Sequence, residues 1–234
     1  MTGLLGLPGA PVLLPGVGGS SDPAAGLHAM AEAAVRAAVA RAPERVVVLA
    51  GGPQTREWPV GLADPIGSIA PWPGRSTALD PLPVDLAVAR HLLALAAPQL
   101  QPELVTAGPS ADDLGRVREL LGPAGPGRSG AGPAALVVVV NDGSALARPG
   151  GPAAVHPRAD EFDHRFRTVW GAGGLEGFAS LDENLADEVM ARGRSVWRVL
   201  AALAAPSAPP AGLVSLDYAG NPFGTYEVIA RWSW

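Results

Sequence analysis

The stretch Ala135–Ala147 sets the frame for the rest of the chain. Six apolar residues, Ala135–Val140, end abruptly in the polar sequence Asn-Asp-Gly-Ser at 141–144. A short β-branched run bounded by turn residues is typical of a strand buried on both faces, which implies a parallel sheet with helices above and below it. Because ligands of such sheets collect at the carboxyl ends of the strands, the polar turn marks the place to look for a site.

Apolar runs elsewhere predict further strands, and amphipathic stripes predict the helices between them. The predicted strands are Pro11–Leu14, Arg45–Ala50 and Glu103–Ala107, with Gly212–Tyr218 and Thr225–Trp232 as the arms of a hairpin. The predicted helices follow Asp22-Pro23, span Val84–Ala97 and Ala111–Leu121, begin at Pro157, and begin at a capping box formed by Ser180-Leu181-Asp182-Glu183. In the last of these helices Met190 is predicted to face the core. In the second hairpin arm, Glu227 is predicted on the polar side of an alternating pattern.

The whole pattern predicts an α/β fold with three layers. These are a mostly parallel or mixed central sheet, helices on both of its faces and a C-terminal β-hairpin, in one domain covering residues 1–234. Two segments rich in proline and glycine interrupt the elements. Gln54–Pro83 is either a lid or binding loop, or an irregular edge of the sheet, and Gly122–Pro133 is a surface insertion.

A glycine-rich turn after the first predicted strand precedes a helix, and this arrangement is able to bind an anion. The segment Gly16–Asp22 lacks both the P-loop and the dinucleotide-binding pattern, so a structural turn is the preferred interpretation.

The composition excludes several functional classes. The chain has no cysteine, so disulfides, thiolate metal sites and cysteine nucleophiles are absent. Its net charge of −5 is spread along the chain, which leaves no basic face for nucleic acid. No apolar segment approaches the ~20 residues that span a bilayer, so we expect no membrane partner. Because the N-terminus lacks the basic region of a secretory signal, we expect a cytoplasmic protein.

The four histidines limit where a metal centre could form. A non-haem iron site typically uses two histidines and a carboxylate, and a local cluster with enough ligand types is formed by His156, Asp160, Glu161 and His164. Asp160 and His164 are four residues apart on a predicted helix, so their side chains are expected to meet. A solvated ion pair at the start of a helix explains this spacing equally simply, and it is the preferred interpretation.

The polar turn offers a second set of candidates. Ser144 follows a buried strand and has Asp142 beside it, but the sequence is not Gly-x-Ser-x-Gly and the spacing assigns no histidine to it. A turn whose polar groups satisfy one another is therefore preferred over a catalytic pair. If the turn lines a pocket, Asn141, Asp142 and Ser144 are able to bind a polar ligand.

Several motifs in a fixed order carry a resemblance to a known family. They are LPGAPVLLPGVGG, RVVVLAGGP, PLPVDLAVARHLL, VVVVNDGSALARPGG with HPRADEFDHRF, GRSVWRVLAAL and NPFGTYEVIARW. In these motifs the chain resembles a group of actinobacterial proteins that are similar to the catalytic B subunit of class III extradiol ring-cleavage dioxygenases. The resemblance covers nearly the whole length. It implies a helix-covered sheet with iron at the strand ends, where the iron activates oxygen and a catechol.

The ligand positions that the resemblance implies lack histidine in this chain. Related proteins carry a Cys-Pro-His-Pro-Pro type stretch, whereas this chain has Leu7-Pro8-Gly9-Ala10-Pro11, with Gly9 at the ligand position. The turn after the central strand has no histidine, and Leu82 lies ahead of Asp85 where another is expected. Since glycine and leucine side chains do not bind Fe(II), the resemblance implies a degenerate iron site and no cofactor.

Two functional hypotheses follow. The preferred one is a dioxygenase-like domain without ring cleavage that binds a small ligand or a protein partner at the strand ends. The alternative is an active oxidoreductase or hydrolase that uses a relocated metal or a metal-independent site. Its candidate residues are Asp142, Ser144, His156, Asp160 and His164. A homo-oligomer is a further expectation, and an apolar patch around Trp232 and Trp234 would favour it.

Overall fold

A computed structural model describes residues 1, 3–15, 17, 23–59, 82–121, 135–147, 154–204 and 212–234. Its seven strands form one sheet. They are β1 (Gly3–Leu7), β2 (Arg45–Gly51), β3 (Arg56–Trp58), β4 (Glu103–Ala107), β5 (Ala135–Val140), β6 (Leu213–Gly220) and β7 (Glu227–Ser233). The strand order is β3-β4-β2-β5-β1-β7-β6. The predicted valine-rich strand therefore lies at the centre of the sheet.

The centre of the sheet is parallel and its edges are antiparallel. β5 pairs in parallel with both β1 and β2, and β2 pairs in parallel with β4. β3 is antiparallel to β4, while β7 is antiparallel to both β1 and β6. The predicted mixed sheet with a C-terminal hairpin is confirmed.

Helices cover both faces of the sheet. The helices are α1 (Ala25–Val39), α2 (Val84–Ala96), α3 (Ala111–Leu121), α4 (Ala159–Ala172), α5 (Glu183–Glu188) and α6 (Arg194–Leu203), with 3-10 turns at Pro11–Leu13 and Leu175–Ser180. Alternate residues of the central strands point to opposite faces. One core packs residues such as Val48 and Val138 against α1 and α2, and the other packs Val47 and Val137 against α3 to α6. This arrangement confirms the three layers.

The first strand lies earlier in the chain than predicted. β1 covers Gly3–Leu7, whereas Pro11–Leu13 forms a 3-10 helix with proline in its first turn. The two glycines of β1 lower the strand propensity of this segment, and its pairing with β5 and β7 compensates for that. The predicted first unit therefore starts at Gly3, with α1 connecting two strands that both flank β5.

Three predicted helix details are wrong. α4 starts at Ala159, two residues after Pro157. The cap of α5 is Asp182, whose side chain accepts hydrogen bonds from the N–H groups of Asn184 and Leu185, whereas Ser180 donates to the carbonyl of Gly177. Met190 is 51% exposed and has a positive φ of 58°, because the chain turns between α5 and α6 at this point.

The proline-rich segment at 54–83 begins with an edge strand. β3 pairs with β4, and the side chain of Arg56 lies over the ring of Trp58 at 4.1 Å from its centroid. The edge-structure interpretation is therefore confirmed for this first part. The rest of the predicted loop, at 60–81, and the predicted insertion at 122–133 fall outside the described residues, as do residues 16 and 18–22 of the glycine-rich turn.

The hairpin is confirmed, but its predicted polar face is wrong. β7 lies between β1 and β6, so Glu227–Ala230 are all buried, and Glu227 is only 1% exposed. Trp232 is 2% exposed and contacts Trp170 and Phe178 in the core. It therefore does not form the exposed patch considered for an oligomer. Within the described residues, no helix is long and apolar enough to cross a membrane.

Gly6 has a packing role that can be tested. A Cβ atom at Gly6 would lie 2.7 Å from Cη2 of the fully buried Trp170. We expect Gly6→Ala to lower the free energy of unfolding by about 1–3 kcal/mol, because the packed core must shift to accommodate a methyl group. Thermal and urea unfolding would measure the change.

Gly26 provides the matched control for this substitution. It is exposed in α1 and has no atom within 4 Å of a Cβ position. Gly26→Ala should leave stability unchanged or raise it by up to about 1 kcal/mol, since alanine is the better helix former. A Gly6→Ala protein as stable as the wild type would contradict the packing role of Gly6.

Candidate functional site

The candidate site lies at the edge where the parallel strands end. β1, β2, β4 and β5 all finish at this edge. β6 runs parallel to β1 through its pairing with β7, so β6 also ends here and β7 begins here. The predicted polar turn at 141–144 follows β5 and lies in the middle of this edge.

Asp142 joins three parts of the chain at this edge. Its Oδ1 accepts a hydrogen bond of 2.7 Å from the backbone N–H of Gly9, just after β1. Its side chain also hydrogen-bonds with that of Glu227, at the start of β7. Its backbone N–H and carbonyl pair with the carbonyl and N–H of Arg192, at 3.4 and 3.2 Å. Asp142 is 3% exposed, so these partners replace water.

The two carboxyl groups of Asp142 and Glu227 share a proton. Burial and the neighbouring Asp142 raise the pKa of Glu227 well above its ordinary value. Burial also raises the pKa of Asp142, although the hydrogen bonds from Glu227 and Gly9 act in the opposite direction. Two carboxylates in contact do not both ionise readily. Of the two groups, Glu227 therefore holds its proton more tightly and donates it in a hydrogen bond to the carboxylate of Asp142.

Asp85 adds a third acidic group, from the first turn of α2. Burial, and then the charge of Asp142, raise the pKa of Asp85 to about 6, while Arg192 opposes the shift. The Asp85 Oδ1 atom lies 3.4 Å from Nη1 of Arg192. A carboxyl group with this pKa exchanges its proton near neutral pH, which is the property that general acid-base catalysis uses.

A cavity of about 490 Å³ opens beside this cluster. Its walls come from the ends of β2 and β4, from α2 and from the start of α6. The lining residues are Gly51, Gly52, Asp85, Pro109, Ala191, Arg192, Gly193, Arg194, Ser195 and Arg198. Three arginines thus face one aspartate in the lining. The first turn of α6 also has no side-chain cap, so its N–H groups add positive potential to the cavity.

The side chains of the three arginines are at least partly exposed, and the ion pairs of Arg194 and Arg198 lie at the surface. Arg194 lies 2.8 Å from Asp187, and Arg198 pairs with Glu183 and donates to the carbonyl of Pro109. Surface ion pairs of this kind contribute only about 0–1 kcal/mol. An anion that enters the cavity is therefore able to compete for these guanidinium groups.

Two of the predicted site residues support the fold. The Oδ1 atom of Asn141 accepts hydrogen bonds from the indole N–H groups of Trp197 at 3.1 Å and Trp170 at 3.3 Å. The backbone N–H and the hydroxyl of Ser144 donate to Asp163, at 2.7 and 2.6 Å. Because Ser144 has no exposed surface, its hydroxyl is closed to substrate. The preferred prediction of a turn with satisfied polar groups holds for Ser144. The Nδ2 atom of Asn141 is buried and has no hydrogen-bond partner among the described residues.

The predicted histidine cluster is not assembled. Nε2 of His156 lies 3.7 Å from Glu188, and its Nδ1 accepts from the N–H of Arg158. Asp160 and His164 are exposed and form no ion pair with each other, but both line a second cavity of about 260 Å³. Within the described ranges, no group of three or more His, Asp or Glu side chains is arranged to hold a metal ion.

Of the residues that meet Asp142, the resemblance drew attention to Gly9 and Asp85, whereas Arg192 and Glu227 were not predicted as site residues. They lie far apart in the chain and meet only through the sheet order. A Cβ atom on Gly9 would lie 2.9 Å from Oδ2 of Asp142 and 3.0 Å from Oδ1 of Asp85, so glycine allows both carboxylates to approach the backbone. Glu227 is the first residue of β7, directly before an apolar run, and its burial there requires a polar partner.

Comparisons with known proteins give no sequence match and one low structural similarity. No protein-family model matches the chain, and no curated protein matches it. Among solved structures, the chain is similar to the crystal structure of uncharacterized protein JW3007 from Escherichia coli K12. The identity is 10%, the TM-score is 0.46, and the match covers 99% of each chain. The strands and helices of the protein itself define its fold.

The raised pKa values predict an unusual dependence of stability on pH. Asp85, Asp163 and Glu227 bind protons more tightly in the folded than in the unfolded protein. Their contribution to stability is full below the unfolded pKa values and is lost as pH rises through the folded ones. We therefore expect the melting temperature to be higher near about pH 5 than near about pH 8.

Glu227→Gln tests the source of this effect. The carboxamide keeps a donor for Asp142 and does not ionise. The stability of the variant relative to the wild type should therefore grow with pH, by at most about 1.4 kcal/mol per pH unit. Glu119→Gln, at an exposed position of α3, is the matched control. A constant difference between Glu227→Gln and the wild type across this range would rule out a protonated Glu227.

Proposed function

We propose that the protein is an extradiol dioxygenase-like protein that has lost the iron site and ring cleavage, and that it binds a small anionic molecule at the carboxyl edge of the sheet. The observation that carries the proposal is the cavity of about 490 Å³ with three arginines against one aspartate. It opens at the strand ends, where the resemblance implies a bound catechol.

The donor atoms at this edge do not fit Fe(II) in the way that the resemblance requires. The resemblance implies a ligand histidine at the position of Gly9, and the carboxylates of Asp142 and Asp85 occupy the space that a side chain there would need. Among the described residues that line the cavity, none is a histidine. A site built from two histidines and one carboxylate therefore has no equivalent here, and the proposal includes no cofactor.

The charge of the cavity favours a carboxylate or a phosphate as the ligand. Arg192 and Arg194 lie at the rim, and the uncapped start of α6 directs N–H groups toward the same space. Helix N-termini and arginine forks are both common anion-binding elements. Asp85 then faces the ligand either as a hydrogen-bond donor or as an acceptor, depending on pH near 6.

Protocatechuate is a suitable first probe, since it combines the catechol that the resemblance implies with a carboxylate for the arginines. We expect it to bind with the same Kd in the presence and absence of Fe(II), and to cause no oxygen consumption. Arg192→Gln should weaken binding about tenfold, because the variant loses one charge-assisted hydrogen bond to the ligand. Isothermal titration calorimetry and an oxygen electrode would measure both properties.

Arg116→Gln is the matched control for this experiment. Arg116 is an exposed arginine of α3 outside the lining of the cavity, so its replacement should leave the Kd unchanged. Inorganic phosphate serves as a second probe without a ring. Fe(II)-dependent oxygen uptake would contradict the loss of the iron site, and failure of both probes to bind would contradict the anionic ligand.

A metal-independent enzyme is the second candidate, and the position of Asp85 favours it. Asp85 lines the cavity beside Arg192 and has a pKa of about 6. A base with that pKa works well near neutral pH. In this enzyme Asp85 is the candidate reactive residue, because Ser144 and His156 are engaged by other partners.

An activity screen would test this second candidate. Any turnover that belongs to the cavity should rise with an apparent pKa near 6 and fall by about a hundredfold or more in Asp85→Asn, as expected for loss of a general base. Asp112→Asn, at an exposed position of α3, controls for loss of charge alone. Turnover that survives in Asp85→Asn would remove Asp85 from the mechanism.

A further inference from the structure

A second cavity lies between α4 and the turn of the C-terminal hairpin. It has a volume of about 260 Å³ and is lined by Ala147, Asp160, Asp163, His164, Arg167, Gly220, Asn221 and Tyr226. Four of these residues are spaced at i, i+3, i+4 and i+7 along α4, so they share one face of the helix. The hairpin supplies the opposite wall. None of these residues lines the larger cavity.

Asn221 is the observation that points to a ligand. It lines the cavity and is 7% exposed, yet neither its Oδ1 nor its Nδ2 has a hydrogen-bond partner within the described part of the chain. A buried polar group without a partner destabilises the protein, and native structures contain few of them. The side-chain amide offers the two N–H donors of Nδ2 and the acceptor Oδ1 side by side. A ligand with both kinds of group satisfies the two atoms together.

Of the charged side chains that line the cavity, one has hydrogen-bond partners in the protein and two are available to a ligand. Asp163 is held by the N–H and the hydroxyl of Ser144, so it has a structural partner. Arg167 and Asp160 are exposed, and neither forms an ion pair or a side-chain hydrogen bond with another described residue. The cavity therefore presents one positive and one negative side chain, Arg167 and Asp160, which lie seven residues apart on the same face of α4.

We propose that this cavity binds an amino-acid-sized zwitterion. Its carboxylate pairs with Arg167, its ammonium group pairs with Asp160, and its remaining polar atoms satisfy the amide of Asn221. The small volume agrees with a ligand of this size, since cavities for drug-sized molecules start at about 300 Å³. This site shares no lining residue with the anion-binding cavity, so a test that disproves one of the two sites does not disprove the other.

Screening the proteinogenic L-amino acids one at a time by thermal shift, on the full chain, is the first test. At least one of them should raise the melting temperature, because a ligand that binds the folded state stabilises it. The best binder is then compared with its decarboxylated amine and its deaminated acid. Each of these lacks one charge and should bind about tenfold more weakly or worse.

Three variants locate the binding. Arg167→Gln and Asn221→Leu should each raise the Kd of the best amino acid about tenfold, whereas Arg165→Gln, an exposed arginine of α4 outside the cavity, should change it less than about twofold. Asn221→Leu should also keep or raise the melting temperature without ligand, because it removes an unpaired buried amide. This result separates loss of binding from loss of folding.

Three outcomes would overturn the proposal. The first is that no amino acid changes the melting temperature. The second is that the amine and the acid bind as tightly as the zwitterion, which indicates a site for a single charge. The third is an unchanged Kd in both Arg167→Gln and Asn221→Leu, which places binding elsewhere on the protein.

Discussion

The hydrogen bonds of the polar turn at the end of β5 hold the functional edge of the protein together. Its four consecutive residues connect to five separate parts of the chain. Asn141 accepts hydrogen bonds from two buried indoles, and Asp142 binds Gly9, Arg192 and Glu227. Gly143 donates to the carbonyl of Tyr226, and Ser144 donates to Asp163 of α4. Because the central strand is buried on both faces, these polar groups need protein partners where water is excluded.

This requirement explains why a carboxyl pair is stable inside the protein. The hydrogen bond from Gly9 and the proton shared with Glu227 compensate for the burial of Asp142. The same contacts draw the carboxylates against the backbone of Gly9 and leave no room for a larger side chain there. The edge is therefore acidic at its centre. Among the described residues, one cavity rich in arginine and another that carries both charges lie to either side of it.

Much of the fold could be predicted from local patterns. β2, β4, β5 and α3 were found close to their actual bounds, because each is a continuous apolar run or a clear amphipathic stripe between turn residues. β1 was missed because two glycines weaken its pattern, and its pairing with two neighbours is a tertiary effect. The predicted cap of α5 was Ser180, whereas the actual cap is Asp182. Serine and aspartate are both good N-caps, so the sequence alone does not distinguish them.

For the candidate site, the sequence by itself located the edge. The buried strand followed by a polar turn marks where polar groups collect in any parallel sheet, and Asp142 was named on that ground. The tertiary structure decided which residues meet Asp142. The strand order brings Gly9, Asp85, Arg192 and Glu227 together from four distant segments. It also buries Glu227, whose side chain the alternating sequence pattern predicts to be solvent-exposed. The burial arises because β7 lies between two neighbouring strands and is covered on both faces.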